Sequence, residues 1–272
     1  MTTHSTGTFA QPETGGLVFA RASRCAFLGT SALLFAASAA VTIAWCASMS
    51  AGMPICGGRT MSMAFMRMPG QTWLGAAASF LGMWVVMMVA MMLPSLVPML
   101  WRYRDAVGTT GEVRLGRLTA LVAVAYFFVW TVLGIAVFPL GAALAAVETQ
   151  QPALSRAVPL AVSVVVLIAG ALQFTAWKAR HLACCRDAPG RTLPADAGTA
   201  WRHGLRLGRH CSYSCAGLIA ILLVIGVMDL RAMAVVTAAI TVERLAPAGE
   251  RVTRATGAVI VGAGLFLLTQ AA

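Results

Sequence analysis

Residues 82–100, GMWVVMMVAMMLPSLVPML, decide the fold, because this segment is long and apolar enough to cross a bilayer as one helix. Six of its residues are methionines, and five of these fall on two neighbouring stripes of that helix at 100° per residue. The stripes consist of Met83, Met87 and Met91, and of Met88 and Met92. Thioethers are soft ligands that suit Cu(I), but methionine is also a flexible apolar filler that packs against protein or lipid. The segment alone leaves both interpretations open.

The composition extends this interpretation to the whole chain. Of its 272 residues 59% are hydrophobic and only 11% are charged, whereas soluble domains carry about 25% charged residues. We therefore predict an all-α, polytopic transmembrane helical bundle. Its seven candidate spans are 26–47, 74–100, 117–138, 157–177, 211–228, 232–246 and 255–269. The last three are short, so six spans is the alternative count.

The basic residues predict the orientation of the bundle. With the N-terminus inside, 16 of the 20 Lys and Arg residues fall on inner segments and four fall on outer ones. The positive-inside rule then favours a cytoplasmic N-terminus, and we expect a multi-pass protein of the bacterial inner (cytoplasmic) membrane. The net charge of +11 is accounted for by this topology, so the bilayer is an expected partner and nucleic acid is not.

The predicted domain organisation is simple. Residues 1–24 are expected to form a disordered cytoplasmic tail, and residues 25–272 a single transmembrane helical domain. Within that domain we expect a methionine-rich outer loop at 48–72 and a basic inner loop at 178–210.

The outer loop at 48–72 is the second concentration of methionine. A solvent-facing loop has no packing reason to collect methionine, so we predict that this one captures a soft metal ion. The expected ligands are Met61, Met63, Met66 and Met68. The alternative is an amphipathic segment that lies on the membrane surface, with Met and Phe65 dipping into lipid.

Cysteine and histidine gather around the inner loop. If the two stretches are helical, His181 and Cys185 share one face, and so do Cys211 and Cys215. Three Cys and one His are typical of closed Zn sites and also suit Cu(I). The full candidate set is His181, Cys184, Cys185, His210, Cys211 and Cys215. Metal binding, thiol redox chemistry and inert packing all remain open.

Four charged residues border the last predicted spans. Asp229 and Arg231 lie at an outer hairpin, and Glu243 and Arg244 lie at the inner end of the sixth span. Charges inside a membrane are costly and often functional. Because these four sit close to predicted interfaces, where solvation is cheap, we interpret them as anchors, with a proton or ion role as the alternative.

Several short motifs resemble those of a known family. They are WVVMMVAMMLP at 84–94, QFTAWK at 173–178, CCRDAP at 184–189, CSYSC at 211–215, GVMDL at 226–230 and ERL at 243–245. Together they resemble a bacterial family of predicted metal-binding integral membrane proteins, a domain of unknown function with some members labelled copper chaperones. His181 replaces a cysteine usual in that family, which preserves metal competence. Ser214 removes one family thiol, which weakens a purely redox role.

The interpretation favoured by these features is a membrane protein that binds and handles a soft metal ion, chiefly Cu(I), for acquisition, transfer or delivery. Zn at the inner Cys/His group is the second choice of ion. A periplasmic or membrane metalloprotein is the expected partner. No G-x-x-x-x-G-K-[ST] motif occurs, so movement of the ion is passive or coupled to another protein.

Two rival functions remain open. The first is an enzyme, a membrane thiol oxidoreductase using Cys184, Cys185, Cys211 and Cys215, against which the absence of C-x-x-C counts. The second is a non-catalytic assembly factor for a metalloenzyme complex. The sequence does not decide whether the protein is an enzyme, although the favoured interpretation needs no catalysis.

Overall fold

The computed structural model describes residues 13–51, 65, 70–108, 111–150, 152–186 and 193–271, with side chains except at 13–20, 49–51, 148–149 and 152–156. This part of the chain is helical and contains no strand, which confirms the all-α prediction. Its helices are α1 Glu13–Ala51, α2 Trp73–Val107, α3 Glu112–Gln150, α4 Pro152–Leu172, α5 Ala176–Arg186, α6 Ala197–Ile225, α7 Leu230–Leu245 and α8 Gly249–Ala271.

Five of these helices, α1, α2, α3, α6 and α8, are long and apolar enough to cross a membrane. Helices α4 and α5 meet at an angle of 63° and make a sixth span if the bent pair is counted as one. A count of seven spans is not supported. The predicted sixth span, 232–246, corresponds to α7, whose 16 residues extend only about 24 Å at 1.5 Å per residue, short of the hydrocarbon thickness.

Two segments expected to be irregular are largely helical. Helix α1 begins at Glu13, so residues 13–24 of the predicted tail are helical, and residues 1–12 lie outside the described part. The basic inner loop contains α5 and the first turns of α6. Asp196 caps α6 by accepting a hydrogen bond from the Thr199 amide at 2.8 Å, and hydrogen bonds at Thr199 keep the pKa of this carboxyl below its usual range.

Helix α2 lies at the centre and contacts α1, α3 and α7. Helices α3 and α6 approach closely where α6 has glycine: a Cβ at Gly204 would lie 2.4 Å from the carbonyl oxygen of Val122. Helices α4 and α8 are similarly close at Gly170, where a Cβ would meet a Val261 methyl carbon at 2.7 Å. Small residues at such crossings let the backbones of two helices approach closely, which is how helices commonly pack in a membrane.

Candidate functional site

The α2 methionines all point into the protein. Both stripes are buried, with Met88 and Met92 showing 0% exposure. The lipid-facing interpretation of these methionines is therefore wrong. Packing and metal binding both remain compatible with a buried thioether.

Three of the predicted inner ligands converge beside the end of this methionine series. Cys185 comes from α5, Cys211 and Cys215 come from α6 one turn apart, and all three are buried. The Cys211 Sγ lies 3.9 Å from the Met92 Sδ. From α7, the Arg244 Nη2 lies 3.8 Å from the Cys185 Sγ and 3.6 Å from the Cys215 Sγ. We call these five residues (Met92, Cys185, Cys211, Cys215 and Arg244) the sulfur–arginine cluster.

The spacing of the cluster sulfurs suits a shared soft ion. For metal–sulfur bonds of about 2.3 Å, two sulfurs 3.9 Å apart subtend about 115° at the ion, near the angle of three- or four-coordinate geometry. In the described ranges, however, no three His, Cys, Asp or Glu side chains form a metal-binding group. The closed Cys/His zinc site that the sequence predicted is thus not assembled, and the sulfur that lies against Cys211 is the Met92 thioether.

The predicted histidine ligand lies elsewhere. The Nδ1 atoms of His181 and His210 are 2.9 Å apart, in a hydrogen bond whose direction depends on the tautomers. The His181 ring also lies against Trp177 and Tyr213, with centroids at 4.8 and 5.0 Å. Both histidines are half-buried, and Cys184 is exposed beside its buried neighbour. His181 and His210 therefore form a pair of their own, and Cys184 faces away from the cluster.

The structure corrects the prediction made for Arg244. It was expected to anchor at an interface, yet its exposure is 4%. Its Nη1 and Nη2 donate to the hydroxyls of Ser95 and Ser214, each at 3.3 Å, and its Nε has no hydrogen-bond partner within the described ranges. A buried cation among hydroxyls and thiols favours the thiolate form of the cysteines, the form that binds metal.

Glu243 was also expected at an interface and is also buried, with 2% exposure. Its Oε2 forms a salt bridge of 2.8 Å with the Lys178 Nζ of α5. Because Cys185 lies about two helical turns after Lys178, this salt bridge fastens α5 to α7 on the face that carries the cluster. In the sequence, only the ERL motif at 243–245 had singled out Glu243 and Arg244 as part of a family pattern.

Tyr126 of α3 is a cluster neighbour that the sequence analysis missed. Its hydroxyl lies 2.7 Å from the Cys211 Sγ and is fully buried. A tyrosine within an apolar helix gives no sequence signal that separates such a contact from ordinary packing. A second sulfur contact, 3.8 Å between the Cys46 Sγ and the Met228 Sδ, was also missed.

The four loop methionines, Met61, Met63, Met66 and Met68, lie outside the described residues, so their predicted role is not tested. Phe65, between them, is described. It is buried, and its ring centroid lies 5.1 Å from that of Phe80 on α2. A Cβ at Gly141 of α3 would lie 2.4 Å from the same ring. Phe65 therefore packs against protein, which contradicts the idea that it dips into lipid.

The fold and this site define a helical protein of membrane-spanning character with a buried, sulfur-lined centre. A family model described as PpoB2, copper chaperone, matches residues 81–267, more than half of the chain, and the protein belongs to that copper chaperone family. The resemblance noted from the motifs is thereby confirmed. The matched range contains every residue of the sulfur–arginine cluster and excludes the methionine-rich loop at 48–72. No curated protein and no solved structure matches the chain.

Proposed function

We propose that this protein is a multi-pass copper chaperone of the bacterial inner membrane, with its N-terminus inside, that binds Cu(I) in the sulfur–arginine cluster. The observation that carries the proposal is the 3.9 Å contact between the Cys211 and Met92 sulfurs, beside two further buried thiols. The cluster lies wholly within the range matched by the copper chaperone family.

The chemistry of the ligands favours Cu(I) over harder ions. Thiolate and thioether sulfur bind soft monovalent copper well and bind Mg²⁺ or Ca²⁺ poorly. The cluster is buried, so water does not compete for the ion. Zn²⁺ is the second choice. Its structural sites take four Cys or His ligands, whereas the cluster contains three cysteines and a methionine.

The buried methionines supply a route to the cluster. Successive members of a stripe are four residues apart, about 6 Å along α2, and Met92 ends the series in contact with Cys211. In this proposal Met61, Met63, Met66 and Met68 capture the ion outside, and Met83, Met87, Met88, Met91 and Met92 pass it inward. Thiolates bind Cu(I) more tightly than thioethers, which favours movement toward the cluster. A metalloprotein partner supplies or receives the ion.

Burial argues against the thiol oxidoreductase alternative. Cys185, Cys211 and Cys215 are 2% exposed or less, so a disulfide substrate on another protein has no access to their sulfurs. A small ion reaches such a site far more readily than a polypeptide does.

The test is an anaerobic Cu(I) titration of the purified full chain in detergent against a Cu(I)-specific chelator. The wild type should bind Cu(I) at the cluster, and Cys211→Ser should weaken binding at least about tenfold, the equivalent of losing about 1.4 kcal/mol. Cys184→Ser is the matched control, because this thiol is exposed beside the cluster, and it should leave the affinity unchanged. Equal affinities for all three proteins would refute the cluster as the copper site.

A further inference from the structure

We propose that Arg244 makes the sulfur–arginine cluster selective for ion charge, so that it accepts a monovalent ion held by two thiolates in preference to a divalent ion. The inference rests on the proposed function and adds the basis of its specificity. Arg244 acts through electrostatics and is not itself a ligand.

The first step is that Arg244 is a buried cation with no carboxylate partner among the residues that the structure describes. Its polar neighbours are two hydroxyls, of Ser95 and Ser214, and two thiol sulfurs. The nearby Glu243 carboxylate is engaged by Lys178 at 2.8 Å, and these two charges cancel. Among the described residues no carboxylate forms a salt bridge with Arg244. The centre of the bundle therefore carries one positive charge that must be balanced from the cluster.

The second step is a count of charges for each ion. Cu(I) with two thiolates carries a charge of −1, and the Met92 thioether adds none, so this complex neutralises Arg244. A divalent ion with two thiolates is neutral and leaves the guanidinium unbalanced, which is costly inside a protein. A divalent ion could restore balance by taking three thiolates. The cluster contains three cysteines, but in the described part of the chain their side chains are not arranged as a three-ligand metal-binding group.

The third step concerns the choice of arginine. A guanidinium stays protonated and spreads its donors over several acceptors in a fixed plane. Arg244 uses Nη1 for Ser95 and Nη2 for Ser214 and the two thiols. The positive charge is therefore held in place beside the sulfurs whether or not an ion is present.

The first experiment uses the wild-type full chain in detergent, loaded with Cu(I) and challenged with Ag⁺ or Cd²⁺. Both challengers are soft and thiophilic, and they differ in charge. Ag⁺ should displace Cu(I), and Cd²⁺ should compete at least about tenfold less well than Ag⁺. Equal competition by Cd²⁺ and Ag⁺ would overturn the inference. This experiment uses only the wild-type protein, so its result does not depend on whether a variant folds.

The second experiment compares Arg244→Gln with Arg244→Lys, using Cu(I) and Cd²⁺ affinities. Arg244→Gln should lower the Cu(I)-to-Cd²⁺ affinity ratio at least about tenfold, whereas Arg244→Lys, which keeps the charge, should retain most of the ratio. Arg254→Gln is the control, because Arg254 is exposed and pairs with Glu250 on the surface. Its ratio should match the wild type.

The two proposals fail in different ways. If the wild type binds no Cu(I), the proposed function is wrong and the inference falls with it. If the wild type binds Cu(I) but Arg244→Gln weakens both ions equally, the copper site stands and charge selection by Arg244 is refuted.

Discussion

The salt bridge between Lys178 and Glu243 offers the sharpest test of how the site is held together. We predict that Glu243→Gln strongly destabilises the protein and also weakens Cu(I) binding. The substitution keeps the size of the side chain but leaves the Lys178 ammonium buried, at 4% side-chain exposure, without its counter-charge. Helix α5 then loses this salt bridge to α7, which loosens the position of Cys185 beside Arg244.

The expected magnitude follows from the geometry. Two unit charges 2.8 Å apart attract by about 6 kcal/mol at an effective dielectric constant of about 20. Much of that attraction offsets the cost of removing both charges from water, so the net value of the pair is smaller. Removing one partner of a buried pair costs about 3–5 kcal/mol, because the other charge is left uncompensated. We expect a loss of that size in the free energy of unfolding.

The assay is unfolding of the full chain in mixed micelles, followed by circular dichroism. Glu250→Gln is the matched control, because Glu250 and Arg254 also lie 2.8 Å apart but are 68% and 65% exposed; it should cost less than about 1 kcal/mol. Replacing both buried partners together, Lys178→Met with Glu243→Leu, should recover most of the loss. If Glu243→Gln were no worse than Glu250→Gln, the salt bridge would not be what fastens α5.

Three further predictions concern packing and access. Gly204→Ala should destabilise the protein by about 1–3 kcal/mol in the same unfolding assay, because the new Cβ meets α3 backbone, whereas Gly262→Ala, with open space around it, should be neutral or slightly stabilising. Trp84→Phe removes the 2.9 Å hydrogen bond from its Nε1 to the Trp130 carbonyl and should cost about 1 kcal/mol; an unchanged stability would show that this bond contributes nothing. A maleimide added to folded protein should modify Cys184 and spare the adjacent buried cysteine, as peptide mapping by mass spectrometry would reveal.

The periodic features of the fold could be predicted from the sequence. Residues 74–100 contain no charged residue, and α2 covers them as part of Trp73–Val107. The one-turn spacing of Cys211 and Cys215 also placed two thiols on the same face correctly, because helix geometry alone fixes that relation. Helix ends were less well predicted, since hydropathy marks the apolar stretch while α1 and α6 continue into polar sequence.

The contacts between helices could not be predicted from the sequence. Glu243 and Arg244 follow an apolar segment, and nothing local distinguishes a charge that faces water from one that faces Lys178 or a thiol. His181 has the spacing to join Cys185, yet its ring meets His210 of the next helix. Both outcomes depend on the 63° bend between α4 and α5, which sets the direction of α5 and which no residue pattern at 173–175 specified.

Arg244 is synthesised after the sulfur residues of the cluster, and this order has a consequence for the nascent chain. Its contact with Ser95 joins residues 149 positions apart, an interval of about 7–30 s at a synthesis rate of about 5–20 residues per second. Met92 is made just before this interval, and Cys185, Cys211 and Cys215 are made within it, so all four precede the cation that lies beside them in the finished protein. A nascent or prematurely terminated chain therefore carries all four of these sulfurs without the charge that we propose discriminates between ions. On this proposal, the chain is most open to binding the wrong metal before α7 is made.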